Sequence, residues 1–462
     1  MKRDNEEARK SKNSLPQFNN TRRDFIKMCS AASMGGLSSL LLPSASDAED
    51  PSGLLDTRGL HEVDNEFFWN FVRMQFVLKP GITYMNTGTE GSMPRRVLAR
   101  LKNYFQEFAE DPWAAGVEHD CYNYFMGEIV DKVAGFLGTD PDEIVMTTNT
   151  TEGMGFAANA LDLQEGDEVL TTLHFHPYNN CWFICRDRGN IRVTELELPT
   201  PAQSKEEIID SFAQAITPQT RVMSFCHINF STGLRMPVME LCQLARDNGI
   251  ITVVDGAHAI GMLDYDLHEL GCDFYASSPH KWLCAPPGTG VFYMRKEVQD
   301  QLVWPAYSEA YYPGATGTTT LFQIRGQQCT PAYTGIIDAI DLQEAIGKAE
   351  IEKRVLFLST YLKERIRENW GEESLYSPVD EELSTGLVSF DPFDEGSDPK
   401  SISTMVKALR HDHNIITRSI NFKDKLTDDR NMPALRVSTH IYNNPDQIDT
   451  LISTVKTIIA AG

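Results

Sequence analysis

The stretch Ile251–Gly290, ITVVDGAHAIGMLDYDLHELGCDFYASSPHKWLCAPPGTG, decides how the chain is read. It opens on Ile251–Val254, a buried-type strand that ends at a carboxylate, Asp255. The carboxyl end of a strand is where open α/β sheets bind their ligands. The stretch closes around Lys281, flanked by His280 and by Pro, Gly and Ser. A lysine that must stay reactive needs a rigid, partly dry site and close backbone approach. An Asp followed, a helix and a strand later, by a Lys suits pyridoxal phosphate (PLP). The lysine forms a Schiff base with that cofactor, and the carboxylate keeps its pyridine nitrogen protonated so that the ring accepts electrons. Taken singly, an Asp and a Lys are more often solvated surface groups, so the reading rests on what surrounds them.

The surroundings are specific. Ser277-Ser278-Pro279-His280-Lys281 resembles the S-x-H-K signature of the class V aminotransferases, the cysteine-desulfurase-like group of fold type I. Asp255-Gly256-Ala257-His258 resembles that family's Asp, then Ala or Gly, then Ala or Val, then His or Gln. The likeness runs from about Thr83 to the C-terminus. It implies an α/β fold of PLP-dependent transferase type I: a large domain with a mainly parallel sheet flanked by helices, and a small α+β C-terminal domain. The expected division is a signal over 1–48, an N-terminal segment over 49–94, a large PLP-binding domain over 95–325 and a small domain over 326–462.

Composition agrees with two lobes, since 462 residues would make one very large core. The hydrophobic content of 41% and charged content of 23% are ordinary for a globular chain. A formal charge of -23 argues against a nucleic-acid partner or an anionic membrane, and its plainest use is solubility. The N-terminus reads as an address. Thr21-Arg22-Arg23-Asp24-Phe25-Ile26-Lys27 looks like a twin-arginine export signal. The apolar run Met28–Leu42 behind it is only about 15 residues and is diluted by Ser and Gly, too short for a stable membrane anchor. Small residues follow at Pro43–Ala48. The expectation is a periplasmic protein carried folded by the twin-arginine translocase. The nine cysteines are scattered without a C-x-x-C pair, which favours buried free thiols over a disulfide framework or a zinc site. Cys181 and Cys185 would share a helical face, which leaves one disulfide open.

Taken in order, the chain supplies the rest of a site. Asn86–Pro94 reads as a Gly-rich turn before a helix Arg95–Phe108. It also resembles the L-N-x-G-x-x-G-x-x-P opening of the isopenicillin N epimerase-like branch, which implies that Gly88 lies against the substrate. Apolar spacing predicts a helix over Tyr122–Leu137 and a strand over Glu143–Thr147, and Asn149–Gly153 opens the next helix. Hydroxyls and free N–H groups there make an anion site or an ordinary cap; the resemblance implies phosphate ligands, Thr150 and Thr151. After a strand Asp167–Leu173 come His174 and His176, with no third metal ligand evident, so no metal is expected. The resemblance makes His176 the ring that stacks on the pyridine. Asn229 follows a strand Arg221–Ile228 and is either a cofactor or substrate contact or part of a turn before the helix Pro237–Asn248.

Carried residue by residue, the family pattern implies Asp255 on the pyridine nitrogen, His258 on the cofactor's O3′, and Ser278 and His280 on the phosphate beside Lys281. Relatives carry a Gly-Thr pair that reaches a neighbouring subunit's phosphate. Here it is Gly326-Gln327, with Gln327 as the donor, which implies a homodimer with interfacial sites. One long helix is expected over Thr334–Asn369, then strands Gly386–Phe390 and Ile415–Ile420 around a helix Ser401–His411. Leu435–Asn443 resembles the family's R-x-S-x-x-x-Y-N strand, whose Arg, here Arg436, holds the substrate α-carboxylate; the plainer reading is a surface ion pair. Desulfurases carry a nucleophilic Cys shortly before this Arg, and Arg418–Pro433 has none. Persulfide transfer is therefore not expected. What remains is PLP chemistry at Cα of an amino acid or a peptide's amino-acid moiety, of the aminotransferase or epimerase type, with Lys281 moving the Cα proton. A C–S lyase acting by β-elimination is the alternative within enzymes. Outside them stands a binding protein that keeps the fold without turnover. Exported members of this branch tailor siderophore side chains, and signal and motifs both resemble theirs.

Overall fold

The structure is a computed structural model that describes residues 62–112, 124–173, 181–189, 191–303, 317–326, 328–393, 399–423, 425–426 and 432–461. The export motif Thr21–Lys27, His176 and Gln327 lie outside the described residues. Strands fall at β1 (Thr83–Tyr84), β2 (Ile144–Thr147), β3 (Glu168–Thr172), β4 (Arg192–Leu196), β5 (Thr220–Cys226), β6 (Ile251–Asp255), β7 (Phe274–Ser277) and β8 (Gly290–Met294). Four more follow, β9 (Leu387–Phe390), β10 (Ile415–Ile416), β11 (Arg418–Phe422) and β12 (Met432–Ser438).

The main sheet has seven strands in the order β2-β8-β7-β6-β5-β3-β4. β8 runs antiparallel to both its neighbours, and the other pairings are parallel. Its strands carry apolar runs instead of alternation because both faces are covered. Every residue of β2, β3, β7 and β8 is buried. Successive side chains leave a strand on opposite faces, so neighbours feed two different cores. Val253, Phe274 and Phe292 join Met154 and Phe156 of the helix Thr150–Ala160. Val254, Tyr275 and Tyr293 join Phe212 and Leu241 from helices on the other side. A fold-type-I layering of helix, sheet and helix results.

A second sheet is antiparallel, β11-β12-β9, and is backed by Leu358, Leu362, Met405, Leu409 and Leu451. The segment before the large sheet is tied to it. β1 pairs in parallel with β10, and Ser438 N–H donates to Met85 O at 2.9 Å. Two expected elements are corrected. The helix expected over Thr334–Asn369 is two helices, Thr330–Ile346 and Lys348–Trp370, broken at Gly347. Gly347 sits at φ 107°, a conformation that a residue with a Cβ resists. The strand expected over Ile415–Ile420 divides at Thr417, because β10 pairs with β1 while β11 pairs with β12. Among the described residues no helix is long and apolar enough to cross a membrane. Cys181 and Cys185 are both free thiols, donating to the carbonyls of Met154 and Ala158 at 3.5 and 3.8 Å.

Candidate active site

Carboxyl ends of β2, β5, β6 and β7 face the small sheet across a cavity of about 620 Å³, a size typical of small-molecule sites. Asp255 is the last residue of β6 and is buried. Its Oδ1 accepts the Ala257 N–H at 2.9 Å, which bends the chain sharply out of the sheet. Gly256 allows this, since a Cβ there would stand 2.0 Å from the Tyr275 ring. Ala257 and His258 are thereby delivered to the cavity wall.

Lys281 follows β7 in a turn closed by its own N–H to Ser278 O at 3.0 Å. Its Nζ lies 3.3 Å from His258 Nε2. Burial pushes the Lys281 ammonium down to about 8, with Asp255 opposing and Arg436 assisting. Near neutrality a useful share of this amine is therefore unprotonated and nucleophilic. His258 is oriented from behind, its Nδ1 accepting the Trp282 indole N–H at 3.2 Å. In the neutral ring that leaves the proton on Nε2, the nitrogen that faces Lys281.

One end of the cavity is an anion cradle. The helix Thr150–Ala160 points its N-terminus there, with Asn149 capping it by accepting the Glu152 N–H at 3.0 Å. Ser278 Oγ takes the Thr150 N–H at 3.1 Å and pairs with Thr150 Oγ1 at 2.7 Å. Thr151 and His280 line the same end. His280 donates from Nδ1 to Thr289 O at 2.9 Å, which leaves Nε2 for the cavity. A helix N-terminus with the Thr150 and Ser278 hydroxyls at its mouth attracts an anion such as a phosphate.

The opposite wall carries Arg436, buried on β12. It donates to Phe230 O and to Thr89 Oγ1, each at 3.1 Å, and its Nε is buried without a partner. No carboxylate among the described residues pairs with it, so the surface ion pair is not what the structure builds. Burial and the like charge of Arg418 push its guanidinium down to about 9. A buried cation that faces a cavity without an ion pair among the described residues suits an anion. Gly88 lies beside it, donating its N–H to Ser438 Oγ at 3.1 Å, and a Cβ at this position would come within 2.8 Å of Leu387.

The residues present fit the cofactor: hydroxyls at a helix N-terminus, a buried Asp255, a Lys281 amine lowered by burial and a small Ala257 line one cavity. The structure brings together Gly88, Thr150, Thr151, Asp255, His258, Ser278, His280, Lys281 and Arg436 on one cavity. Asn229 is not among the residues that line the cavity; it is buried, and its Oδ1 closes a turn by accepting the N–H groups of Ser231 and Thr232 at 2.8 and 3.2 Å. Its flanks Ile228 and Phe230 line the cavity instead. His176 and Gln327 lie outside the described residues.

Sequence reading missed Glu90 and Arg418, which also line the cavity. Glu90 has a buried Oε1 without a partner, and burial holds its carboxyl above the usual range while Lys281 draws it back. Its only signal was a carboxylate inside the Asn86–Pro94 loop.

The aminotransferase class-V family model matches residues 83–451. Isopenicillin N epimerase of Amycolatopsis lactamdurans is 30% identical over 409 residues, 84% of this chain and 98% of that protein. A probable cysteine desulfurase of Methanothermobacter thermautotrophicus is 26% identical over 419 residues, 85% of this chain and 98% of its own. Among solved structures, the apo form of a cysteine desulfurase from Thermococcus onnurineus NA1 superposes with a TM-score of 0.72 at 22% identity. That match covers 85% of this chain and 98% of the other, and it is a likeness of fold.

Proposed function

Because the chain belongs to the class-V aminotransferase family and is a PLP-dependent enzyme, we propose that it acts at Cα of an amino acid, or of the amino-acid moiety of a peptide, by chemistry of the aminotransferase or epimerase type. One observation carries the reading: a lysine brought to about 8 and an uncompensated buried arginine face the same cavity. When bound, PLP supplies the electron sink that makes a Cα proton removable. The protein's own groups do the rest. Thr150, Thr151, Ser278 and His280, which line the cavity, would hold the phosphate, and Asp255 would keep a proton on the ring nitrogen. Arg436, with Gly88 and Thr89 beside it, orients the substrate carboxylate. Lys281, its amine made a base by burial, would take the proton from Cα or return it. Burial of the wall excludes water, which strengthens each of these charges.

A second reading is β-elimination by a C–S lyase, favoured by the desulfurase relatives. The absence of Cys from Arg418–Pro433 counts against transfer through a persulfide. The natural substrate class we put forward is an amino-acid unit in siderophore or other secondary-metabolite tailoring. The motif Thr21–Lys27 supports export by the twin-arginine route to the periplasm, and Lys in place of Arg22 and Arg23 should leave the protein in the cytoplasmic fraction. A homodimer is the proposed assembly, to be read from its mass in solution.

The deciding experiment is the visible spectrum of purified protein before and after a panel of amino acids and amino-terminal peptides, with mass analysis in deuterated water. Release of the cofactor in its amino form establishes amino transfer. Deuterium at Cα with the configuration inverted and the amine retained establishes epimerisation, and thiol release from thioether substrates establishes elimination. A cofactor band that none of these amines alters overturns the proposed substrate class. Lys281→Ala should abolish borohydride-fixable cofactor on the chain; a lysine adduct retained in that variant would sink the assignment.

A further inference from the structure

Arg418 stands on edge strand β11 directly opposite Arg436 on β12, the two being register partners of an antiparallel pair. Side chains so placed leave the same face of the sheet a few ångströms apart, where like charges repel. That repulsion is one cause of the lowered Arg436 guanidinium. Both arginines line the cavity, and among the described residues no carboxylate forms an ion pair with either. In a chain with 65 acidic residues against 42 Lys and Arg, two adjacent cations without an ion pair among the described residues are conspicuous. The cavity's own carboxylates, Asp255 and Glu90, bear on Lys281 instead. Arg436 supplies one anion site from a buried guanidinium, and Arg418 adds a second, more open charge beside it.

We propose that Arg418 forms a second anion subsite, so that the amino-acid unit bound here carries a further carboxylate besides the one held by Arg436. The substrate class is then an amino dicarboxylate, free or as the exposed end of a larger molecule. This deepens the proposed function and rests on it for the role of Arg436. The pair's repulsion is relieved when two carboxylates enter, and a neutral side chain leaves Arg418 uncompensated.

The test separates binding from chemistry by using ligands without an amine. Calorimetric titration of the cofactor-loaded protein with glutarate and with its monoamide reads the charge preference directly. The wild type should favour glutarate by about tenfold or more, the step that one charge-assisted hydrogen bond supplies. In Arg418→Gln the ratio should fall toward one, and Arg418→Lys should keep part of it. Equal binding of the two ligands by the wild type, no binding of either, or an unchanged ratio in Arg418→Gln overturns the subsite. If amines alter the cofactor spectrum while glutarate shows no preference, this subsite fails alone. If glutarate is preferred while no amine has any effect, the proposed reaction fails and the subsite stands.

Discussion

Gly91 measures how closely the site is built at the scale of single residues. A Cβ there would stand 2.0 Å from the Lys281 carbonyl and 2.9 Å from Cys284 Sγ, while the Gly91 N–H holds His280 O at 2.8 Å. The obstacle is backbone and cannot swing aside. Gly91→Ala should cost about 1–3 kcal/mol by overpacking, and should displace Lys281 enough to reduce cofactor retention; thermal unfolding and the absorbance of the isolated variant check both. Glu90 acts on the same lysine by charge. A carboxylate nearby favours the ammonium, so Glu90→Gln should move the Lys281 midpoint below about 8. The rate at which cofactor-free protein captures PLP would then rise at lower pH than in wild type; an unmoved profile would show the two groups uncoupled. Lys281, Asp255 and Arg436 were legible because each sits in a spaced motif. Glu90 and Arg418 were not, because a charge in a loop or on an edge strand looks like any solvated group until the opposite wall is in place.

Helix starts carry the next level of organisation. Asn149 caps the helix whose N-terminus faces the cavity, and Glu152 reaches back to the Thr148 N–H at 2.6 Å. Asn149→Ala should cost about 1 kcal/mol and weaken PLP affinity, since the cap fixes the helix N-terminus that faces the cavity; chemical denaturation and cofactor titration separate the two effects. On the far side of the sheet, His268 in the short helix Leu267–Leu270 meets Glu143 at 2.6 Å. The Glu143 hydrogen bond holds the His268 imidazolium above its usual range. Burial pushes Glu143 up, but hydrogen bonds from Thr139, His268 and the backbone of Asp140 and Lys296 bring it below the carboxylate range. A raised histidine binds its proton more tightly when folded. Its contribution is therefore complete below about 6.5, the unfolded value, and fades as pH rises through the higher folded value. His268→Gln should lower the melting temperature at pH 6 and have little effect at pH 9, modestly because His268 is half open to solvent. Most elements could be read from apolar spacing, yet the break at Gly347 could not. A single Gly inside a helical pattern signals a stop only when tertiary packing makes the following helix turn away, as Lys348–Trp370 does.

Across the whole molecule the site is a joint between distant segments. Residues 88–91 come from the N-terminal segment, Asp255 and Lys281 from the large sheet, and Arg436 from the small one. Arg354, fully buried in Lys348–Trp370, ties the first of these to the last. It donates to Val63 O at 2.5 Å and to Asn443 O at 3.0 Å, pairs with Glu66 at 2.7 Å and lies over the Trp69 ring. Thr87 and Tyr442 add a short hydroxyl contact, and Asn443 Nδ2 donates to Tyr84 O at 3.0 Å. Without the guanidinium two carbonyls and a carboxylate lose their donor, while a Met of similar length would still fill the space. Breaking a buried pair typically costs 3–5 kcal/mol, and the partial exposure of Glu66 places Arg354→Met near about 3 kcal/mol. The loss should not be uniform. Thr150, Ser278 and Lys281 belong to the large sheet and its connections, so the cofactor should stay bound. Gly88 and Thr89 are held against Arg436 through this joint, so the concentration of substrate carboxylate needed to saturate the site should rise. Melting curves, cofactor absorbance and carboxylate titration on the one variant decide it. Equal weakening of cofactor and carboxylate would mean that Arg354 serves general stability alone, whereas a loss confined to the carboxylate identifies the joint as what sets the substrate end of the site.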